Sequence, residues 1–260
     1  MSDGFRLALG TLTGVRVTSP TQMDRRTAAA STALAPVVGL VLGAVAELAV
    51  LLVRWLVDGW ADRAVGAAVA VTVLAWLTRG IHWDGLAHTA DALGSRQSGA
   101  AGLEVLRRSG IGAFGVLTLV LVLLLDVTAL TAAILDGRGT LALVGGAVVG
   151  GLALTWTARA GVPAAPSDAG GTTVAASVSP ALLAATSLAV AVALAVLTVL
   201  DDDLTRSFVP QTLAAAALAV VAAQTMVRRS VQRFGGITGH VMGAATEIAF
   251  CVFVLGVVVA

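Results

Sequence analysis

The chain has 260 residues, of which 58% are hydrophobic and 12% are charged, and its formal net charge is +1. Soluble globular domains are nearer to half apolar and a quarter charged, so this composition excludes that class and indicates a polytopic membrane protein. The single cysteine, Cys251, excludes an intrachain disulfide framework, and no nucleic-acid partner is expected.

Apolar runs that approach the roughly 20 residues needed to cross a bilayer recur along the whole chain. Residues 1–27 are polar enough to lie at the interface, and the first span is expected to kink near Pro36. The predicted fold class is an all-α, polytopic integral membrane helical bundle of about seven transmembrane helices, forming one membrane domain over residues 1–260. The predicted spans are 28–57, 64–78, 113–135, 141–158, 180–200, 209–227 and 241–259.

The placement of the arginines predicts an orientation. With seven spans, the N-terminus and the loops at about 79–112, 159–179 and 228–240 share one side, which carries twelve of the sixteen arginines. The other side carries four, together with the acidic run Asp201–Asp203. Since basic residues are enriched in cytoplasmic loops, the N-terminus and the three loops are predicted to be cytoplasmic, which places any site built on these loops in the cytoplasm.

The most unusual stretch is Arg79–Gly94, which holds two histidines, two aspartates and three glycines in an otherwise apolar chain. If it is helical, Asp84, His88 and Asp91 share one face, about a turn apart. Carboxylates suit Mg²⁺, so Asp84 and Asp91 favour a magnesium site. The alternative is a polar turn beside the membrane in which Asp84 caps a helix.

A second polar stretch runs from Glu104 to Gly115. Arg107 and Arg108 are suited to holding phosphates by charge-assisted hydrogen bonds, and the glycines allow close backbone approach. Charge at the end of a membrane span, followed by a flexible connector, explains the same residues equally well.

A third stretch runs from Arg228 to Glu247. His240 and Glu247 are seven residues apart and would share a helix face. Glu247 lies inside the last apolar span, where an ionised carboxylate is expensive and usually partnered. The alternative is a histidine in the first helical turn and a glutamate in an interhelical hydrogen bond. For the other intramembrane acids, Glu47 and Asp126, a packing hydrogen bond is the expectation.

These stretches resemble the conserved blocks of the cobalamin synthase family, the adenosylcobinamide-GDP ribazoletransferases. Ile81–Leu93 resembles the family signature G-F-H-x-D-G-L-A-D-T-x-D-G, and Ile111–Gly115 resembles the next block. Residues 235–247 resemble the C-terminal block G-G-x-T-G-D-x-x-G-A-x-x-E, and Pro36–Leu40 matches the first membrane segment. The blocks follow one another in the family's order and spacing over nearly the whole chain.

The resemblance implies a multi-pass enzyme of the inner (plasma) membrane that acts in the last stage of vitamin B12 assembly. Such an enzyme transfers the cobinamide phosphate of adenosylcobinamide-GDP to α-ribazole, or to its 5′-phosphate, and releases GMP, with Mg²⁺ as cofactor. Asp84 and Asp91 are implied as Mg²⁺ ligands and, with His88 and His240, as catalytic residues. The implied substrate-binding residues are Arg107, Arg108, Gly235, Gly236, Thr238 and Glu247.

The chain also departs from the family pattern. The family carries aspartate at the two positions that hold His88 and His240 here, and an acid in the block where this chain has Arg108–Gly110. Losing two carboxylates leaves two expectations open, a working site with a changed metal preference and a weakened or inactive paralogue. A small membrane transporter is the remaining alternative, and the sequence leaves the oligomeric state open.

Overall fold

A computed structural model describes residues 2–18, 24–57, 61–166, 173–200 and 206–259. Within these ranges, extended backbone pairing is limited to two isolated bridges, Arg159 with Val178 and Ala164 with Ile237. A 3-10 turn occupies Arg206–Phe208. The helices are α1 Asp3–Leu12, α2 Arg25–Ala33, α3 Ala35–Leu56, α4 Ala61–Leu77, α5 Ile81–Gly94, α6 Gly99–Leu106, α7 Ala113–Leu135, α8 Gly139–Thr157, α9 Pro180–Leu200, α10 Val209–Phe234 and α11 Gly239–Val259.

The long apolar helices confirm the predicted polytopic membrane bundle. In the described part of the chain, six spans are long and apolar enough to cross a membrane: α2 with α3, then α7, α8, α9, α10 and α11. Helices α4 and α5 would form a seventh if they are counted as one span bent by 89°. The predicted loop at 228–240 is helical in its first part, because α10 continues to Phe234 and includes the arginines of that stretch.

The predicted kink near Pro36 is a break between two helices. Helix α2 ends at Ala33 and α3 begins at Ala35, with Pro36 in its first turn. Proline has no N–H to donate, and in the first turn of a helix none is needed.

Helices α8 and α11 lie at the centre of the bundle, and small residues let their neighbours approach closely. A Cβ atom added to Gly43 of α3 would come within 3.0 Å of Val144 Cα on α8. Small residues at such crossings are a common means of packing helices in membranes. Helices α3 and α8 also share a polar contact, since Thr140 Oγ1 donates to Glu47 Oε1 at 2.9 Å, which confirms the hydrogen bond expected for Glu47.

The sharp turn between α4 and α5 places the ionisable stretch across one end of the bundle. Arg79 and Gly80 have φ values of 55° and 67°, in the left-handed region that favours glycine. Gly80 donates its N–H to Ala75 O at 2.7 Å, which closes the end of α4. As a result, α5 turns away from α4 and packs against α11 and the start of α7.

Candidate functional site: an aspartate and two histidines

Three of the four predicted catalytic side chains meet at one point. Because α5 is helical, Asp84 and His88 lie one turn apart, and His88 Nε2 is 3.3 Å from Asp84 Oδ1. His240, in the first turn of α11, places its Nε2 3.5 Å from Asp84 Oδ2. One candidate ligand atom from each of the three residues lies within 4.8 Å of the other two. This group is called the Asp84–His88–His240 cluster below.

A close crossing of α5 and α11 brings the cluster together. A Cβ atom on Gly85 would lie 2.6 Å from His240 O, and one on Gly243 would lie 3.1 Å from His82 Cα. Side chains at these two positions would push the helices apart. The glycines of the first and third sequence blocks therefore act as a pair that sets the distance between Asp84 and His240.

The loop before α11 is fixed by backbone pairing with the loop after α8. Gly235 ends α10 with φ 80°, and Ile237 N–H donates to Pro163 O at 2.9 Å. Gly236 is buried against Ala164, where no Cβ atom would fit. The predicted substrate-binding residues Gly235 and Gly236 therefore shape this loop and do not line the cavity described below.

Thr238 does line that cavity, and it also starts α11. Its Oγ1 accepts a hydrogen bond from Val241 N–H at 3.3 Å, a capping contact that leaves the first turn of α11, with Gly239 and His240, facing the cavity.

The structure does not bring Asp91 into the cluster. Its Oδ2 accepts the N–H of Gly112 at 2.5 Å and its Oδ1 accepts the N–H of Gly115 at 2.7 Å. Gly112 is the N-cap of α7, so Asp91 satisfies free backbone donors at the start of that helix. A Cβ atom on Gly115 would lie 2.5 Å from Asp91 Oδ2. Gly112 and Gly115 of the second sequence block therefore bind the carboxylate of Asp91, the last acid of the first block. The predicted metal-ligand role of Asp91 stays a prediction.

Glu247 lies in a separate cavity behind the cluster. This cavity of about 60 Å³ is mostly apolar, and Glu247 Oε1 there lies 3.7 Å from His82 Nδ1. His82 lines both cavities, so it stands between Glu247 and Asp84. His240 and Glu247 thus face different cavities, and the substrate-binding role predicted for Glu247 stays a prediction.

The cluster opens into a cavity of about 610 Å³ at one end of the bundle. Asp84, His240 and Arg107 are in its lining, and Arg107 donates to Pro166 O at 3.2 Å. Arg108 is exposed and is not in the lining. Both arginines were predicted to bind substrate, but of the two only Arg107 lines the cavity.

The sequence did not predict that the N-terminal helices form a wall of this cavity. Leu7 and Thr11 of α1, with Asp24 at the start of α2, face the same space. Asp24 Oδ1 accepts the N–H of Thr27 at 2.7 Å, and this backbone hydrogen bond lowers the pKa of Asp24 below its ordinary value of 3.8. The capping pattern from Asp24 to Thr27 was the available signal that residues 1–27 are more than an interfacial segment.

The donor set of the cluster does not fit Mg²⁺ as a resident ion. Mg²⁺ prefers oxygen ligands, and here two of the three donors are imidazoles. Asp84 is the single carboxylate, with 52% of its side chain exposed to the cavity, whereas the His88 side chain is 7% exposed.

The comparisons with known proteins extend over nearly the whole chain. A family model described as cobalamin-5-phosphate synthase matches residues 4–258. The chain belongs to this family.

Relatives of this cobalamin-5-phosphate synthase family member cover nearly the same length. A protein of Frankia casuarinae is 39% identical over 252 residues, covering 94% of this chain and 90% of the relative, and one of Nocardioides sp. is 36% identical over 257 residues, covering 98% of each. A third, from Leptothrix cholodnii, is 38% identical over 237 residues, covering 85% of this chain and 81% of the relative. All three are named adenosylcobinamide-GDP ribazoletransferase, and no solved structure matches this family member significantly.

Proposed function

We propose that this chain is an adenosylcobinamide-GDP ribazoletransferase that acts in the final stage of cobalamin synthesis. The family match over residues 4–258 and relatives of that name aligned over 90% and 98% of their own lengths support the assignment. In the reaction, a ribose hydroxyl of α-ribazole, or of its 5′-phosphate, attacks the phosphorus linked to cobinamide. The bond between the two phosphates of the GDP group breaks, GMP leaves, and the hydroxyl proton goes to a base.

The observation that carries the proposal is the position of the Asp84 carboxylate between two imidazoles in an open cavity. The cavity, at about 610 Å³, falls within the 300–1,000 Å³ of ordinary small-ligand pockets, so it has room for the reacting phosphates and the ribose. A carboxylate beside the hydroxyl is a suitable acceptor for its proton. Asp84 is placed for this role, because 52% of its side chain is exposed and it lines the cavity, whereas His88 is buried beside it.

Two features of the cavity suit the phosphates. Arg107 projects into it and can hold phosphate oxygens by charge-assisted hydrogen bonds. The first turn of α11 also lines it, and the N–H groups at a helix N-terminus favour anions. These groups would hold the diphosphate beside Asp84 while the hydroxyl approaches.

The Mg²⁺ implied by the resemblance stays a prediction, and the donor set of the cluster argues against it as the resident ion. A divalent cation, when bound, would neutralise charge on the diphosphate and stabilise the leaving oxygen. The roles proposed for Asp84 and Arg107 do not depend on which ion that is.

The direct test is turnover by the purified full-length chain in detergent, with adenosylcobinamide-GDP and α-ribazole, measured as GMP release. We expect GMP and cobalamin in equal amounts, and an Asp84→Asn variant to lose at least about a hundredfold in kcat, as general-base catalysis contributes about 10²–10⁴-fold. Turnover absent with Mg²⁺, Mn²⁺, Co²⁺ and Zn²⁺ alike would refute the assignment and favour the inactive paralogue.

The pair of neighbouring arginines gives a test of substrate binding. We expect Arg107→Ala to raise KM for adenosylcobinamide-GDP by more than Arg108→Ala does, because only Arg107 reaches the cavity. Equal effects of the two substitutions would show that the phosphates bind elsewhere.

We also propose that the protein lies in the plasma membrane with its N-terminus and cavity on the cytoplasmic side. The support is the twelve arginines on the N-terminal side against four on the other. A reporter domain fused to the N-terminus, active only in the cytoplasm, tests this, and activity of an exported reporter at the same position would contradict it.

A further inference from the structure

We propose that the Asp84–His88–His240 cluster binds a borderline divalent ion such as Zn²⁺ or Co²⁺ in preference to Mg²⁺. This inference deepens the proposed function and rests on it for the use of the ion, but binding can be measured without any substrate.

The chemistry of the donors is the first argument. Imidazole suits Zn²⁺, Co²⁺, Fe²⁺ and Ni²⁺, whereas Mg²⁺ is held by carboxylates, water and substrate phosphates. The cluster offers two imidazoles and one carboxylate, so with neutral histidines its charge is −1. A hard ion gains little from such a set, while a borderline ion gains two strong ligands.

The geometry is the second argument. Three ligand atoms about 2.1 Å from one tetrahedral ion lie about 3.4 Å from each other. His88 Nε2 lies 3.3 Å from Asp84 Oδ1 and His240 Nε2 lies 3.5 Å from Asp84 Oδ2, so each imidazole is near this distance from one oxygen of the carboxylate. The ring centroids of His88 and His240 are 5.0 Å apart, and all three candidate ligand atoms lie within 4.8 Å of one another, so small side-chain rotations bring them around one ion.

The surroundings of the cluster are the third argument. Three protein ligands with a remaining position open to water or substrate are the pattern of catalytic zinc sites. Here His88 is buried on the protein side, while Asp84 and His240 line the cavity. An ion held by the three would therefore face the space where the phosphates are expected.

One feature of the cluster, the surroundings of His88 Nδ1, lowers its expected affinity for Zn²⁺. Ligation through Nε2 leaves the proton of His88 on Nδ1, which is buried and has no hydrogen-bond partner among the described residues. Outer partners of this kind are worth about 10–100-fold in metal affinity. We therefore expect Zn²⁺ to bind more weakly than at a zinc site with a complete outer shell.

The experiment uses the full chain, carrying an affinity tag free of histidine, in detergent after removal of metal by a chelator. Co²⁺ is the probe, because its visible absorption reports ligation and geometry. We expect one equivalent of Co²⁺ to bind, to be displaced by a small excess of Zn²⁺, and to remain in millimolar Mg²⁺. X-ray absorption of the Zn²⁺ form should show two imidazoles.

The chain offers a matched set of variants, because it has only three histidines. His88→Ala and His240→Ala should each lower Co²⁺ affinity at least about tenfold, since even outer partners contribute that much. His82→Ala is the control, because His82 contacts Glu247 and lies outside the cluster, and it should bind Co²⁺ as the parent does. The double variant H88D/H240D, with three carboxylates, should shift the preference toward Mg²⁺.

The proposal is overturned if Mg²⁺ competes with Co²⁺ at equal concentration, if the X-ray absorption shows no imidazole, or if His240→Ala binds as the parent does. A hydrogen-bonded aspartate with two histidines and no ion would give these results. Failure of the transfer reaction alone, with Co²⁺ still bound at the cluster, would refute the proposed function and leave the metal preference intact.

Discussion

The contact between Asp91 and the start of α7 gives the sharpest single test of the structure. An Asp91→Ala substitution would remove both acceptors from the N–H groups of Gly112 and Gly115. It would leave the Asp84–His88–His240 cluster in place. The helical alignment of Asp84 with Asp91 predicted instead that Asp91 is a metal ligand, so the two roles lead to different results.

The expected loss of stability in Asp91→Ala follows from the two hydrogen bonds that Asp91 accepts. Hydrogen bonds to a charged group contribute about 1.5–3 kcal/mol each, and loss of a helix N-cap costs about 0.5–2 kcal/mol. Since Asp91 is only partly buried, we expect its loss to lower the free energy of unfolding by about 2–3 kcal/mol. For a chain of this size, about 1 kcal/mol corresponds to 2–4 °C in Tm, so Tm should fall by about 4–12 °C.

The assay is thermal unfolding of the purified protein in detergent, alongside Co²⁺ titration of the same preparations. Asp136→Ala is the matched control, because it removes the same carboxylate at the other end of α7. A negative charge there is unfavourable to the helix dipole, so Tm should stay constant or rise slightly.

If Asp91 acts as a cap for α7, the Asp91→Ala variant should have a lower Tm than the parent and the same Co²⁺ affinity. An Asp91→Ala variant that keeps its Tm and loses Co²⁺ binding would refute it and restore Asp91 as a ligand. An equal loss of Tm in Asp136→Ala would show that the effect is not specific to the start of α7.

Three further predictions concern other parts of the molecule. Gly85→Ala should lower stability by about 1–3 kcal/mol and weaken Co²⁺ binding, because the added methyl group meets the backbone of α11, whereas Gly110→Ala meets open space and should do neither. Thr140→Val should cost about 0.6 kcal/mol by removing a donor to Glu47, measured by thermal unfolding. Asp24 has a lowered folded pKa, so its cap stabilises the protein above the ordinary pKa of 3.8 and is lost as the pH falls through the folded value. Asp24→Ala should therefore lower Tm at neutral pH and reduce its further fall in acid.

Each of these has a result that would contradict it. Equal Co²⁺ affinity in Gly85→Ala and the parent would mean that the helix crossing does not set the cluster. A Thr140→Val variant as stable as the parent would mean that Glu47 is satisfied by other groups. An unchanged acid profile in Asp24→Ala would mean that the cap does not form in solution.

Helical periodicity predicted the contact between Asp84 and His88 correctly. The four-residue spacing of Asp84 and His88 places them one turn apart in any helix, so their contact follows from the sequence alone. The family resemblance added His240, which lies far away in the chain and could not be placed by spacing.

The other contacts around the site depend on how distant helices and loops pack together. The spacing of residues along the sequence does not predict that packing. Asp91 shares the spacing of a ligand, but its carboxylate accepts backbone N–H groups at the start of α7, which lies about twenty residues further along the chain. The pairing of residues 163–165 with Ile237, which fixes the loop before α11, involves backbone groups and leaves no signature in side chains. Arg107 and Arg108 are adjacent and identical in type, so only the fold distinguishes them.

The crossing of α5 over α11 also has a consequence for the order in which the protein is made. Chains fold from their N-terminal side as they leave the ribosome, so α5 is inserted while α11 has yet to be translated. Until then Asp84 and His88 have no third donor, and the groove beside Gly85 is unfilled. Arrival of α11 would complete the helix packing and the ion site in one event, so a bound ion would mark chains whose assembly has finished.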